Sequence, residues 1–205
     1  IKQCDDQLGR LLAYLEETGQ EKDTMIVLTS DHGDYLGDHW MGEKNMFHDV
    51  SVKVPMIIYD PRATADATRG TTCDALVEAI DLAATFVDIA GGDMPDHILE
   101  GRSLLPWLQG DTPDWRDYAI SEVDFSSSPM AATLGLAPRD SRMFMVFDGR
   151  YKLMAFAAAE MRPMLFDLQE DPDELEDLCK SDPDHPALPG LFTHLRNWGL
   201  RMSQR

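Results

Sequence analysis

The sequence predicts an α/β fold: a partial sheet of the parallel type with flanking helices, followed by a small antiparallel sheet that ends in a helix. Two short continuous apolar runs, 24–29 and 54–59, lie among stretches whose apolar residues keep helical spacing. After residue 110 the pattern changes to several short apolar runs, two of them joined by Asp148-Gly149, a hairpin signal. Leu191, Leu195, Trp198 and Leu200 then recur at helical intervals near the end.

In order, Ile1, Cys4, Leu8, Leu11, Leu12 and Leu15 mark an amphipathic helix, and Gly19 stands where a left-handed cap belongs. The run 24–29 reads as a strand buried on both faces, with Ser30-Asp31-His32-Gly33 at its carboxyl end. A polar, glycine-containing, histidine-rich loop follows. The run 54–59 reads as a second inner strand that starts at a proline-tolerant position. Ala75, Leu76, Ala79, Ile80, Leu82, Ala83, Phe86 and Val87 keep helical spacing until Gly91-Gly92 stops them. Strands are expected at Tyr118-Ala119-Ile120, Met143 to Phe147, Tyr151 to Met154 and Met164-Leu165-Phe166, and a flexible loop at 126–138. The expected division is therefore 1–110 for the α/β part and 111–205 for the antiparallel part.

Length and composition bound the function. A chain of 205 residues holds one core, or one core and a small satellite. With 18 basic against 37 acidic residues, its net charge of -19 repels a phosphate backbone and excludes nucleic acid as a partner. No apolar run is long enough to span a bilayer. Cys4, Cys73 and Cys179 are odd in number and scattered, which points to reduced thiols and favours a bacterial cytoplasm over a periplasm. The chain opens at Ile1, inside an amphipathic pattern, as a piece of a longer protein would.

Asp31 and His32 sit at the end of an inner strand, where ligands bind in open α/β sheets. Hard carboxylate oxygen beside imidazole nitrogen suits a divalent ion of mixed preference, Mn, Zn or Fe, better than Ca. Neighbouring residues in a strand point to opposite faces, so both reach one ion only if the chain turns there, and Gly33 favours the turn. Asp31 as a helix cap and His32 in an ordinary hydrogen bond form the alternative. Lys44, on the loop that folds back over the strand end, could hold an anionic ester oxygen as a point charge. His39 and His48 on that loop read as structural hydrogen-bonding groups, and the acidic run 167–177 as a turn leading into a helix with an acidic first turn. The 12 methionines read as core filler.

Taken in order, these pieces resemble a family. Asp5-Asp6-Gln7-Leu8-Gly9-Arg10, Ser30-Asp31-His32-Gly33, Leu36-Gly37-Asp38-His39, Lys44, Val54-Pro55, Asp81-Leu82-Ala83-Ala84-Thr85, Gly101-Arg102-Ser103-Leu104, and Leu165-Phe166-Asp167-Leu168 with Asp171-Pro172 look like the sulfatase branch of the alkaline phosphatase superfamily. The resemblance covers nearly the whole chain and implies an alkaline phosphatase-like fold.

It further implies that Asp31 and His32 are two ligands of one divalent metal ion, that Lys44 contacts the sulfate, phosphate or phosphonate group, and that the partner is a small anionic ester. Many sulfatases carry Asp-Asn where this chain has Asp31-His32, and the histidine version is similar to phosphonate monoester hydrolases. The family's nucleophile is a formylglycine made in a C/S-x-P-x-R motif. None of the three cysteines has a proline two residues later, so the resemblance implies an inert carboxyl-terminal part of a hydrolase. The competing expectation is a free-standing, non-catalytic binding or interaction module, able to form a homo-oligomer through open strand edges.

Overall fold

A computed structural model of the chain describes residues 1–95 and 97–203. Helix α1, Lys2–Glu17, comes first, and Gly19 follows it with φ 69°, the left-handed conformation expected of that glycine. Strand β1 (Ile26–Thr29), the single-turn helix α2 (Asp49–Val52) and strand β2 (Met56–Tyr59) come next.

β1 and β2 pair antiparallel, with Ile26 opposite Tyr59 and Thr29 opposite Met56. The parallel arrangement expected for this pair is corrected accordingly. A parallel pair needs a crossover that carries the chain back to its starting end, usually a full helix. Here the only α-helix between the strands is the four-residue α2, and the connection stays at one end of the pair. Burial on both faces is corrected too, since Leu28 and Ile57 are exposed.

Helix α3 (Ile80–Ile89) starts later than its apolar spacing predicts. The Asp81 carboxylate accepts the Glu78 amide at 2.8 Å, which holds residues before Ile80 in a turn. Gly91, with φ 69°, ends it as expected. Helix α4 (Leu105–Leu108) leads to a four-stranded antiparallel sheet of β3 (Ala119–Asp124), β4 (Arg142–Phe147), β5 (Tyr151–Phe156) and β6 (Met164–Asp167), in that spatial order.

The segment 126–138 holds a helix, α5 (Pro129–Leu134), where a flexible loop was expected. Ser128 Oγ accepts the Ala131 amide, Pro129 occupies the first turn where no amide is needed, and Gly135 closes the helix with φ 66°. Local capping outweighs the turn-rich composition. Helices α6 (Leu178–Ser181) and α7 (Leu188–Ser203) finish the chain.

Strands β4, β5 and β6 are covered on both faces, which is why they are mostly apolar, whereas β3 carries Ser121, Glu122 and Asp124 and ends exposed. Val146, Leu153, Ala155 and Leu165 pack against Cys179, Leu188 and Leu191 of the last two helices. Met143, Met145, Met154 and Phe166 face the other way, onto Phe47 and Val52. The methionines of β4 and β5 thus do fill core, and they fill the side of it that supports the loop before β2. Ion pairs from Arg116 to Asp81 and from Lys152 to Asp49 join residues on either side of the expected division at 110/111.

Candidate functional site

Ser30-Asp31-His32-Gly33 turns away at the carboxyl end of β1, and three hydrogen bonds define the turn. Ser30 Oγ donates to the His32 carbonyl at 2.7 Å, His32 Nδ1 lies 2.6 Å from the Gly33 carbonyl, and the Gly33 amide donates to the Ser51 carbonyl at 2.7 Å. A carbonyl can only accept, so Nδ1 carries a proton and Nε2 is left outside that bond. That atom lies 3.4 Å from Asp31 Oδ2.

The two atoms face each other at the exposed mouth of the turn, where a proton on Nε2, a water molecule or a metal ion can bridge them. Metal–nitrogen and metal–oxygen bonds of about 2.1 Å set neighbouring ligand atoms about 3 Å apart, so the pair fits as two ligands of one divalent ion. The donor set is mixed nitrogen and oxygen, as Mn, Zn or Fe prefers. Asp31 is exposed and held below the usual carboxylate range, chiefly by its own backbone amide and further by the charges of His32 and Lys44. Among the described residues no group of three or more His, Cys, Asp or Glu gathers as a complete metal site.

Lys44 is exposed and lines the same open cleft as Asp31 and His32. It follows a loop of unusual backbone: Leu36, His39, Trp40 and Glu43 all have φ between 49° and 60°. Such conformations persist only where surrounding contacts impose them. The Tyr35 amide donates to the Glu43 carbonyl at 2.9 Å and the Gly37 amide to the Met41 carbonyl at 2.9 Å, which closes the loop on itself. All three residues singled out from the sequence therefore share one cleft.

His39 and His48 stack with ring centroids 3.9 Å apart, and the buried His48 Nδ1 lies 2.8 Å from the Tyr35 hydroxyl. Burial pushes His48 down to about 4, with the neighbouring positive charges of His39 and Lys152 adding to the effect. Burial likewise pushes Tyr35 up to about 12. This packing matches the structural role expected of His48 and His39.

A buried charge network lies behind the site, and sequence reasoning missed it. Lys152 Nζ, 1% exposed, lies 2.5 Å from Asp49 Oδ1 and 2.8 Å from Glu174 Oε1. The Asp49 amide donates to Glu174 Oε2. Glu174 is buried with φ 55°, inside the acidic run read as a turn leading into a helix. Burial raises its pKa, against the opposing pull of Lys152. The available signal was Lys152 itself, a lone charge inside the apolar strand Tyr151-Lys152-Leu153-Met154. The run's helix also begins later than expected, at Leu178, where Asp177 accepts the Cys179 amide.

A second network brings two other motifs together. Asp81, fully buried, accepts the Arg102 amide at 2.8 Å and both Arg116 terminal nitrogens. Thr85 Oγ1 accepts the Leu104 amide at 2.9 Å. A Cβ on Gly101 would overlap the Ile80 carbonyl, so the 101–104 segment lies directly on the start of α3. These contacts are scaffolding, since Asp81 is satisfied from every side.

Comparison with known proteins follows the same outline. The family model for the carboxyl-terminal region of N-sulphoglucosamine sulphohydrolase matches residues 37–197. The multifunctional alkaline phosphatase superfamily protein PehA of Trinickia caryophylli is 38% identical over 192 residues, covering 92% of this chain and 36% of that protein. An arylsulfatase of Clostridium perfringens is 32% identical over 182 residues, covering 89% of this chain and 35% of its own length. The crystal structure of the phosphonate monoester hydrolase of Agrobacterium radiobacter superposes with a TM-score of 0.83 at 33% identity, over 98% of this chain and 39% of that one. The phosphonate monoester hydrolase SpPMH from Silicibacter pomeroyi gives 0.82 at 35% identity, over 98% and 38%. The chain thus spans about a third of the length of the curated relatives it matches. It belongs to the N-sulphoglucosamine sulphohydrolase carboxyl-terminal family, within the sulfatase branch of the alkaline phosphatase superfamily.

Proposed function

We propose that the chain supplies part of the active site of a metal-dependent hydrolase of phosphonate, phosphate or sulfate esters. The observation that carries this reading is the Asp31–His32 pair, with Nε2 free of its backbone hydrogen bond and 3.4 Å from Oδ2, in one cleft with Lys44. Asp31 Oδ2 and His32 Nε2 would hold the ion, which when bound supplies Lewis-acid polarisation of the ester. Lys44 would place a positive charge against an anionic ester oxygen and steady charge that develops as the leaving group departs. His32 in place of an amide favours phosphonate or phosphate esters, in line with the names of the two hydrolase structures that superpose best among those given above.

The nucleophile, a formylglycine by family resemblance, and the remaining metal ligands would come from residues outside this chain. The 205-residue chain alone is therefore expected to be inactive. The test is Lys44→Ala in the complete enzyme that carries this chain. The rate constant for an aryl phosphonate monoester should fall at least about tenfold, within the range that one stabilising donor supplies. An unchanged rate would sink the assignment of Lys44, and activity of the isolated chain would sink the division of labour.

A further inference from the structure

We infer that Lys152 and Glu174 are positioning residues for the Asp31–His32 pair, acting through α2; the inference rests on the metal reading above. The alternation of β5 puts Lys152 on the same face as Met154, the face turned to Phe47 and Val52. There its charge is buried and is met by Asp49 Oδ1 and Glu174 Oε1. Glu174 reaches in from a strained backbone position and takes the Asp49 amide with its other oxygen. Asp49, the first residue of α2, is thus held at both its amide and its carboxylate by residues of the antiparallel part.

From Asp49 to the metal pair the path is short and almost all backbone. Ser51, two residues on and buried, accepts the Gly33 amide at 2.7 Å. Gly33 lies so close to α2 that a Cβ on it would overlap the Val50 carbonyl oxygen. The Gly33 carbonyl in turn holds His32 Nδ1 at 2.6 Å and selects the tautomer that leaves Nε2 free. A shift of α2 therefore moves the ligand pair, with no flexible side chain between Asp49 and His32 Nδ1 to absorb it.

Stability alone is a poor reason for this network. Burying a lysine with two carboxylates is often no better than well-packed apolar residues of the same volume, whereas removing one member leaves uncompensated charge. Without Lys152, the Asp49 and Glu174 carboxylates lose the cation between them, and the exposed Lys53, 3.3 Å from Asp49, is left as a solvated partner.

The experiment uses the complete, metal-depleted protein carrying this chain, titrated with Mn2+ and followed by electron paramagnetic resonance. Histidine-selective 15N labelling reports the His32 tautomer in parallel. Lys152→Met and Glu174→Gln should each raise the Mn2+ dissociation constant about tenfold, the scale on which residues that orient ligands act. They should also move the His32 nitrogen shifts toward a mixture of tautomers, a change that a loss of stability alone would not produce. Lys152→Arg, which keeps the charge, should restore both. Should Lys152→Met fail to fold, the neutral triple variant Lys152→Met, Glu174→Gln, Asp49→Asn carries the same comparison. Mn2+ affinity lost in His32→Ala but kept in folded Lys152→Met overturns the inference alone. Affinity unchanged in His32→Ala overturns the metal reading and the inference with it.

Discussion

Gly33 donates its amide hydrogen to the Ser51 carbonyl across 2.7 Å, and this bond fastens the turn bearing Asp31 and His32 to α2. The two backbones approach so closely that position 33 has no room for a side chain. Gly33→Ala should therefore destabilise the protein by about 1–3 kcal/mol, as overpacking does, because the neighbouring atom is backbone and cannot rotate away. Thermal unfolding would read this as a drop of several degrees. An unchanged midpoint would show that the turn and α2 separate freely.

Asp31 and His32 offer one oxygen and one nitrogen to the proposed ion. Replacing the nitrogen by an amide oxygen, His32→Asn, hardens the donor set. Metal-depleted enzyme carrying His32→Asn should be reactivated by Ca2+ relatively better, and by Mn2+ or Zn2+ relatively worse, than the parent. The ratio of reactivation by the two kinds of ion is the measurement, and an unchanged ratio would remove His32 from the coordination sphere.

His48 gives a pH dependence of definite sign. It stays neutral in the fold down to about 4, whereas an unfolded histidine protonates near 6.5. Between those values the unfolded chain binds the proton and the folded chain does not, so stability falls as pH falls through this window. The full contribution is present above about 6.5 and amounts to about 3 kcal/mol. The facing groups are His39 and Lys152, whose charges disfavour an added proton, the Tyr35 hydroxyl at 2.8 Å, and Asp49, which opposes the shift. His48→Phe should flatten the difference between denaturant midpoints at pH 7 and pH 4.5. Equal slopes in both proteins would contradict the assignment.

Asp81 is fully buried and its main cation is Arg116, whose side chain is 9% exposed. Arg116→Ala leaves that carboxylate buried without its charge partner, at a cost of about 3–5 kcal/mol. The joint change Arg116→Met with Asp81→Asn should be milder than the single change, since it removes the Asp81 charge along with its partner and leaves only Glu78, 3.4 Å from Arg116, without its cation. Denaturant unfolding of the three proteins measures the difference, and a double variant worse than the single one would refute the account.

Local pattern carried a good part of this molecule. Apolar periodicity and a glycine stop placed α1 and the end of α3, and Asp148-Gly149 placed the β4–β5 hairpin, because caps and tight turns depend on residues adjacent in sequence. Asp31, His32 and Lys44 line one cleft for a related reason: all three flank one short loop, so they stay near one another however the rest of the chain packs. α5 was missed although Ser128, Pro129 and Gly135 spelled its caps, because turn-forming composition and helix caps use the same residues.

What the sequence determined by itself was the order and type of most elements, since these are set within a few residues of chain. Strand direction in the β1–β2 pair was decided only by tertiary structure, for identical apolar runs serve either pairing. So was the meeting of Lys152, Asp49 and Glu174, separated by up to 125 residues and brought together by the face of a sheet. A lone lysine in an apolar strand announces that some partner exists. Which carboxylates answer it depends on long-range packing, and here that packing sets Val52 of α2 on the antiparallel sheet, while Ser51 of α2 holds the turn that carries Asp31 and His32.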